Sequence, residues 1–463
     1  MAIEESLLIA DLHAGYRTNR FTVAEVMLRL MDRAERAGRA RQRHIWITRL
    51  SRDQVMSYVR ALERRSIDAL PLYGVPFVIK DNIDLAGVPT TAACPRFGFT
   101  PARSATVVQR LLEAGAIPLG KTNLDQFATG LVGTRSPHGA CRNGFDERFI
   151  SGGSSSGSAV AVATGLATFS LGTDTAGSGR VPAAFNNLIG VKPSLGRLSN
   201  RGVVPACRSV DCVSIFAFTA TDAARVLDVA EGFDAEDPYA RPLDNTPILG
   251  QRFGVPRREQ LQFFGDHEYS RLFDAAVARL ESTGALPVEI DFAPCIDAAR
   301  MLYEGPWLAE RYAAVGRFLD ANPGAAFPIT AEIIAGGKSV TAVEAYEAEY
   351  RLKILKRAGE RAWSLVDFIV TPTAGTIYTI AAVEADPIRL NATLGYYTNF
   401  VNLFDLAGVA VPAGFRSDGL PFGVTLVGPR SSDRALLALA DRLHRSSVTT
   451  LGATEQRCAG FTL

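Results

Sequence analysis

The chain has 463 residues, 47% hydrophobic and 21% charged, with a formal net charge of +1. That balance is ordinary for a globular protein able to bury a large core, and the near-neutral charge argues against a nucleic-acid or membrane-surface partner. Six scattered cysteines, Cys94, Cys141, Cys207, Cys212, Cys295 and Cys458, form no CxxC pair, which argues against a disulfide framework or a zinc site and for reduced thiols in a cytosol.

The first residues, MAIEESLLIADLH, are acidic where a signal peptide would be basic. No apolar run reaches the roughly 18 residues of a membrane span, so the expectation is a soluble, cytoplasmic protein. Thr22 and Glu25 read as a capping box, and Val23, Val26, Met27, Leu30 and Met31 follow at helical spacing until Gly38. The basic run Arg33, Arg36, Arg39, Arg41 and Arg43 reads as the solvated end of that helix. A second helix starts at Ser51 with Gln54 and carries Val55, Tyr58, Val59 and Leu62, completing a helical layer over about residues 1–68.

The period then changes. The run 72–84, LYGVPFVIKDNID, is short, apolar and rich in branched residues, the pattern of a buried strand with Lys80 at its end. A helix is expected over 105–114, with Gly115 as its C-cap and a strand over 116–119. Gly-Lys-Thr should then lead into a helix capped by Thr122 and Asp125, and 130–144 should be loop.

Strands and helices keep alternating through 169–173, the helix after Thr221, the helix 272–280 and the strand 286–292. This pattern predicts a mainly parallel sheet covered on both faces. Residues 234–251 read as a Pro-bearing loop. Residues 298–362 read as long helices broken at Gly305-Pro306 and Asn322-Pro323, inserted before strands return at 368–371, 408–412 and 423–427. A last helix is expected over about 433–445. With no repeat or composition break, a single domain is expected.

The chemistry points to 150–193, ISGGSSSGSAVAVATGLATFSLGTDTAGSGRVPAAFNNLIGVKP, where two Ser/Gly clusters flank a small-residue helix and a short strand. Two nearby matches mislead. GAIPLGKT at 115–122 fits the phosphate-loop pattern letter for letter, but Pro118 has no N–H to offer a phosphate and its neighbours look like a strand. GSSSG at 153–157 fits a nucleophile elbow, which needs a strongly apolar strand before it and a downstream acid and histidine. The preceding residues are mostly polar, and of His13, His44, His138, His267 and His444 none is convincingly placed.

In the second cluster, GTDTAGSGR, Ser178 follows a glycine, and the N–H groups of Thr175, Ala176, Gly177 and Ser178 can point to one spot. Such a nest would hold the oxyanion of acyl transfer. Without a histidine, a serine needs another base, and a lysine serves once burial makes its neutral amine available. Lys80 is the best-placed candidate.

These residues resemble the amidase signature family, from GVPFVIKDNID through GKTNLDQFATG and GGSSSGS to GTDTAGSGRVPA. The resemblance implies an α/β/α sandwich with a central twisted mixed sheet, one domain over 1–463, a signature core over about 70–215 and an inserted helical layer over about 298–362. It implies Lys80 as base, Ser154 as a bridging serine in a cis peptide and Ser178 as nucleophile, with no metal or cofactor. Asp174 and Arg180 flank the nucleophile and read as a structural pair holding the loop.

GKTNLDQFATGLVGTRSPHG, TDTAGSGRVPA and MLYEGPWLAERY are similar to the allophanate hydrolase branch of that family. By that resemblance the substrate is a small amide, allophanate, met in urea or cyanuric acid breakdown. Tyr303 and Arg311 are then recognition residues, and the family's habit is the homodimer. A small anionic substrate suits an arginine, which grips a carboxylate in two places. Eight residues of unbroken helix would bring Tyr303 and Arg311 to nearly the same face, but Pro306 lies between them. Three other readings stay open: a malonamate or aryl amide amidase, the amidase subunit of a glutamyl-tRNA amidotransferase, and an idle scaffold.

Overall fold

The structure is a computed structural model that describes residues 6–40, 43–242, 244–448 and 450–457. In chain order its strands are β1 Trp46–Arg49, β2 Pro76–Lys80, β3 Ile117–Thr122, β4 Phe169–Asp174, β5 Ile189–Lys192, β6 Cys212–Ala217, β7 Arg252–Pro256, β8 Leu286–Ile290, β9 Phe368–Pro372, β10 Ala407–Phe415 and β11 Pro421–Gly428. All eleven join one sheet in the order β1-β3-β2-β4-β6-β5-β10-β11-β9-β7-β8, with helices on both sides in an α/β architecture. The strands β2, β3 and β4 are buried along their whole length, as strands covered on both faces must be. The two edge strands β1 and β8 are the most exposed, with β7 beside β8 exposed at Arg252.

The sheet is less parallel than the alternation of elements predicts. β2 runs parallel to β3 and β4, and β7 to β8 and β9, but the other six pairings are antiparallel. The cause lies in connections that contain no helix. β6 returns through a long loop to lie antiparallel between β4 and β5, and β10 turns into β11 as a hairpin through Gly419, whose φ is +83°. The N-terminal layer is also not purely helical, because β1 pairs antiparallel with β3.

Both predicted N-terminal caps form: Thr22 and Glu25 exchange side-chain to backbone bonds at 2.8 and 3.2 Å, and Ser51 and Gln54 complete a capping box. The helix expected after Thr122 does not. Gly120, Lys121 and Thr122 stay in β3, and only a short 3-10 turn, Gln126–Ala128, follows. The Thr122 hydroxyl bonds the Ile79 carbonyl and the Ser158 hydroxyl, while the Asp125 carboxylate accepts the N–H groups of Val132, Gly133 and Arg135. Both polar groups are therefore engaged in closing the loop rather than capping a helix.

The basic run is only partly a solvated end. Arg36 is exposed, but Arg33 donates to the Thr164 carbonyl at 2.6 Å and Arg43 lies 3.4 Å from Glu147; the side chains of Arg39 and Arg41 lie outside the described residues. The thiols of Cys94, Cys141, Cys207, Cys212 and Cys295 are free and buried, and Cys458 lies outside the described residues.

Between β8 and β9 come four helices, Ala293–Glu304, Trp307–Ala321, Pro328–Gly336 and Ala342–Gly359, with breaks at Gly305-Pro306 and after Asn322 as the sequence predicts. A separate apolar cluster of Ala92, Cys94, Phe127, Val204, Val315 and Ile334 seats this layer on the loops after β2 and β3. That contact brings Arg311 over the ends of the parallel strands. Among the described residues no helix is long and apolar enough to cross a membrane.

Candidate active site

Parallel strands end together, and the carboxyl ends of β2, β3 and β4 leave Lys80, Thr122 and Asp174 along one edge of the sheet, where α/β proteins place ligands. Lys80 is fully buried. Its Nζ donates to the Ser154 Oγ at 2.7 Å and to the Thr173 Oγ1 at 2.8 Å, and among the described residues no carboxylate lies within ion-pair distance of it. Burial lowers its pKa to about 7. Asp125, Asp211 and Asp174 oppose that shift from a distance, while the Arg311 guanidinium reinforces it.

Two other lysines are buried nearby, and their surroundings differ. Lys121 forms a 3.1 Å ion pair with Asp81, and Lys192 donates to the carbonyls of Pro193 and Leu406 at 3.0 and 2.6 Å. Lys121 also donates to the Thr90 hydroxyl at 3.0 Å, but among the described residues only Lys80 of the three is held by hydroxyls without a carboxylate or carbonyl, and hydroxyls can also donate to a neutral amine.

Ser154 precedes the helix Ser156–Ala163, and the Gly153–Ser154 peptide bond is cis. A Cβ at Gly153 would lie 2.1 Å from the Asp125 carboxylate, so only glycine fits there. The Ser154 carbonyl accepts the Asp125 N–H at 3.1 Å, which fastens the serine to the loop after β3. The middle serine of the cluster, Ser155, faces elsewhere: its hydroxyl donates to the Thr173 carbonyl at 3.1 Å.

Ser178 lies at the other end of the helix-strand unit, in the turn after β4, and is 2% exposed. Gly177 before it has φ +147°, and a Cβ there would meet the Thr398 hydroxyl at 2.4 Å. The N–H groups of Thr175, Ala176, Gly177 and Ser178 carry no hydrogen bond among the described residues, which leaves this run of donors free for a ligand.

The turn is pinned from both sides. The Thr175 hydroxyl donates to Asp211 at 2.5 Å, and Asp211 also accepts the N–H groups of Ala206 and Cys207; burial raises its pKa to about 6. Asp174 accepts the Gly179 N–H and two hydrogen bonds from Arg180, each 3.0 Å, with both side chains fully buried. Arg180 also donates to the Thr398 carbonyl and the Asn402 side chain.

Tyr303 and Arg311 come together in spite of the break between their helices: the Arg311 guanidinium carbon lies 5.5 Å from the centre of the Tyr303 ring. Arg311 is 1% exposed. Its Nη1 donates to the Thr129 hydroxyl at 3.1 Å, while its Nε and Nη2 and the Tyr303 hydroxyl are buried with no hydrogen-bond partner among the described residues. A guanidinium edge and a phenol left open side by side offer the kind of donors that a carboxylate accepts from.

Several residues around this site carry no signal in the sequence. Thr173 and Asn82 are the other contacts of the Lys80 network, with the Asn82 amide 3.3 Å from Thr173 Oγ1. Arg135 is 2% exposed and donates to the Thr129 carbonyl at 3.0 Å and the Pro387 carbonyl at 2.6 Å, so Thr129 is gripped by one arginine on its backbone and by Arg311 on its hydroxyl. Thr173 lies within the conspicuous GTDT run, and Thr129 and Arg135 lie within the quoted run 120–139, but nothing in that run singles out either residue as lining a pocket. Among the described residues no group of His, Cys, Asp or Glu is arranged to hold a metal ion.

A family model described as Amidase matches residues 25–437. The urea amidolyase of Saccharomyces cerevisiae is 47% identical over 407 residues, which is 87% of this chain and 22% of the yeast protein, so the chain spans about a fifth of that relative. A glutamyl-tRNA(Gln) amidotransferase subunit of Symbiobacterium thermophilum is 36% identical over 84% of this chain and 86% of its own length. In three dimensions the chain superposes on the allophanate hydrolase of Kluyveromyces lactis with a TM-score of 0.90 and 42% identity, covering 98% of this chain and 76% of that one. By sequence and by architecture, the chain belongs to the amidase signature family.

Proposed function

We propose that this chain is an amidohydrolase in which Lys80, Ser154 and Ser178 carry the reaction, and that its substrate is allophanate. The observation that carries the reading is the state of Lys80: a fully buried amine, bonded to hydroxyls alone and poised near neutrality, one hydrogen bond from Ser154. Neutral Lys80 takes the Ser154 proton as Ser154 takes that of Ser178, and the Ser178 oxygen attacks the amide carbon. The N–H groups of Thr175, Ala176, Gly177 and Ser178 receive the developing oxyanion. Collapse returns the proton through Ser154 to the leaving nitrogen, ammonia departs, and water repeats the route on the acyl-enzyme.

The choice of allophanate rests on the open edge of Arg311 beside the Tyr303 hydroxyl, which fits the carboxylate end of a small anion, and on the likeness to urea amidolyases and allophanate hydrolases. Hydrolysis of the terminal amide would give ammonia and N-carboxycarbamate, as urea breakdown requires. The five free thiols support a cytoplasmic setting. The whole chain is taken as one amidase domain, working as a homodimer on a small molecule.

The test is ammonia release by the purified chain across allophanate, malonamate, malonamide and aryl amides, repeated with Arg311→Ala. Allophanate should lead the panel, and Arg311→Ala should damage the anions far more than the neutral amides. Equal losses on both would remove Arg311 from recognition, and a preference for a neutral amide would overturn the allophanate assignment. Ammonia release only after a partner protein is added would favour the amidotransferase reading instead.

A further inference from the structure

The helix Trp307–Ala321 carries Arg311 but belongs to the inserted layer, so something must set how far that guanidinium stands from the groups around Ser178. The N–H donors lie on a different element, the turn after β4. Beside that turn runs the loop 205–211, which leads straight into β6, where Cys212 pairs with Asp174. Asp211 binds this loop to the turn: it accepts the N–H groups of Ala206 and Cys207 from the loop and the Thr175 hydroxyl from the turn.

The same loop also meets the helix. Ser209 donates its N–H to Glu310 Oε1 at 2.7 Å and its hydroxyl to Glu310 Oε2 at 2.6 Å, and the Cys207 thiol donates to the Trp307 carbonyl at 3.6 Å. Hydrogen bonds to a charged carboxylate are short and strong, and a two-point grip adds direction. Successive helical residues point about 100° apart, so Glu310 turns to the loop while its neighbour Arg311 is buried, 1% exposed. Among the described residues Glu310 makes no ion pair; both its oxygens go to Ser209.

A path of direct contacts therefore runs from Arg311 and Glu310 on one helix, through Ser209 and Cys207 on the loop, to Asp211 and Thr175. We propose that the Glu310–Ser209 contact is a latch that sets the spacing between Arg311 and the donors at 175–178, and so selects a short anionic amide whose carboxylate and scissile carbonyl reach both at once. The inference rests on Arg311 holding the substrate carboxylate. Glu310 is a positioning residue, which acts through its neighbour and touches no substrate.

The guanidinium and the latch should fail in different ways. Without the guanidinium the anion is not held, and KM rises. Without the latch Arg311 still holds the carboxylate, but the amide carbon no longer sits where Ser178 and the donors need it, and a misplacement of about 1 Å costs up to ~100-fold. Such a loss falls on kcat, with KM little changed.

Steady-state kinetics of the purified chain on allophanate and on neutral malonamide test this. Glu310→Ala should lower kcat for allophanate at least ~10-fold more than for malonamide. Ser209→Ala, at an exposed residue, should show the same pattern at smaller amplitude, and adding it to Glu310→Ala should cost nothing further. Glu310→Gln should recover most of the loss, because its amide oxygen can accept the Ser209 N–H while its amide donates to the hydroxyl oxygen. Equal losses on the two amides, a loss confined to KM, or a Glu310→Gln variant as poor as Glu310→Ala would each overturn the latch. Arg311→Ala in the same assays separates the two readings. A selective loss on allophanate there, with none in Glu310→Ala, removes the latch alone; equal losses from Arg311→Ala remove the recognition that the latch serves.

Discussion

Replacing Lys80 by methionine should do two separable things: abolish turnover and change how stability depends on pH. In the unfolded chain Lys80 titrates near 10.5, and in the folded chain near 7. Between these values the unfolded state holds the proton and the folded state does not, so the wild type gains stability as pH rises from about 7 to about 10.5. Below 7 both states are protonated and the penalty for burying the amine is at its full size. At roughly 1.4 kcal/mol for each tenfold loss of proton affinity, that penalty is ~5 kcal/mol.

Lys80→Met removes the titration and also leaves Ser154 and Thr173 one hydrogen bond short, an offset that does not vary with pH. Urea unfolding of both proteins from pH 6 to pH 10 isolates the titrating part. The stability of the variant relative to the wild type should be greatest near pH 6 and fall by about 1.4 kcal/mol per pH unit above 7. A difference that stays flat across this window would mean that Lys80 is not depressed, and the proton relay would lose its base.

The same amine should appear in kinetics, where kcat/KM rises to a plateau with an apparent pKa near 7; a limb near 10 would refute the assignment of Lys80. Asp174→Asn leaves the buried Arg180 charge without its partner, and breaking such pairs costs about 3–5 kcal/mol, which thermal unfolding would register; an unchanged melting temperature would show that the pair does not hold the loop. Thr129→Val removes the hydroxyl bonded to Arg311 at 3.1 Å and keeps the backbone contact to Arg135. It should raise KM for an anionic amide several-fold with little effect on a neutral one, and parallel effects on both would assign Thr129 to packing.

How much of this was legible in the sequence depended on whether the signal was local. The helix caps at Thr22 and Ser51, the strand that ends at Lys80 and the breaks at Gly305-Pro306 and Asn322 are set by neighbouring residues, and all were readable. The direction of strand pairing was not, because β6 and the hairpin of β10 with β11 reverse the chain through loops whose sequence resembles any other. The helix expected after Thr122 failed for a similar reason: Thr122 and Asp125 have the chemistry of caps, but their partners are Ile79, Ser158 and the loop 132–135. Within the site, the Ser/Gly clusters and Lys80 stood out by composition. Thr129 and Arg135 did not, since what distinguishes them is where a separate helical layer comes to rest.

The anchoring of Arg180 to Thr398 and Asn402 has a consequence for synthesis. Lys80, Ser154 and Ser178 all leave the ribosome within the first 178 residues, yet the turn that carries Ser178 is fastened to the Thr398 carbonyl and the Asn402 side chain, made more than two hundred residues later. A nascent or truncated N-terminal half would own all three groups proposed to react and still lack the tether that holds the turn carrying one of them. Competence should therefore switch on late and all at once, when the C-terminal segment arrives.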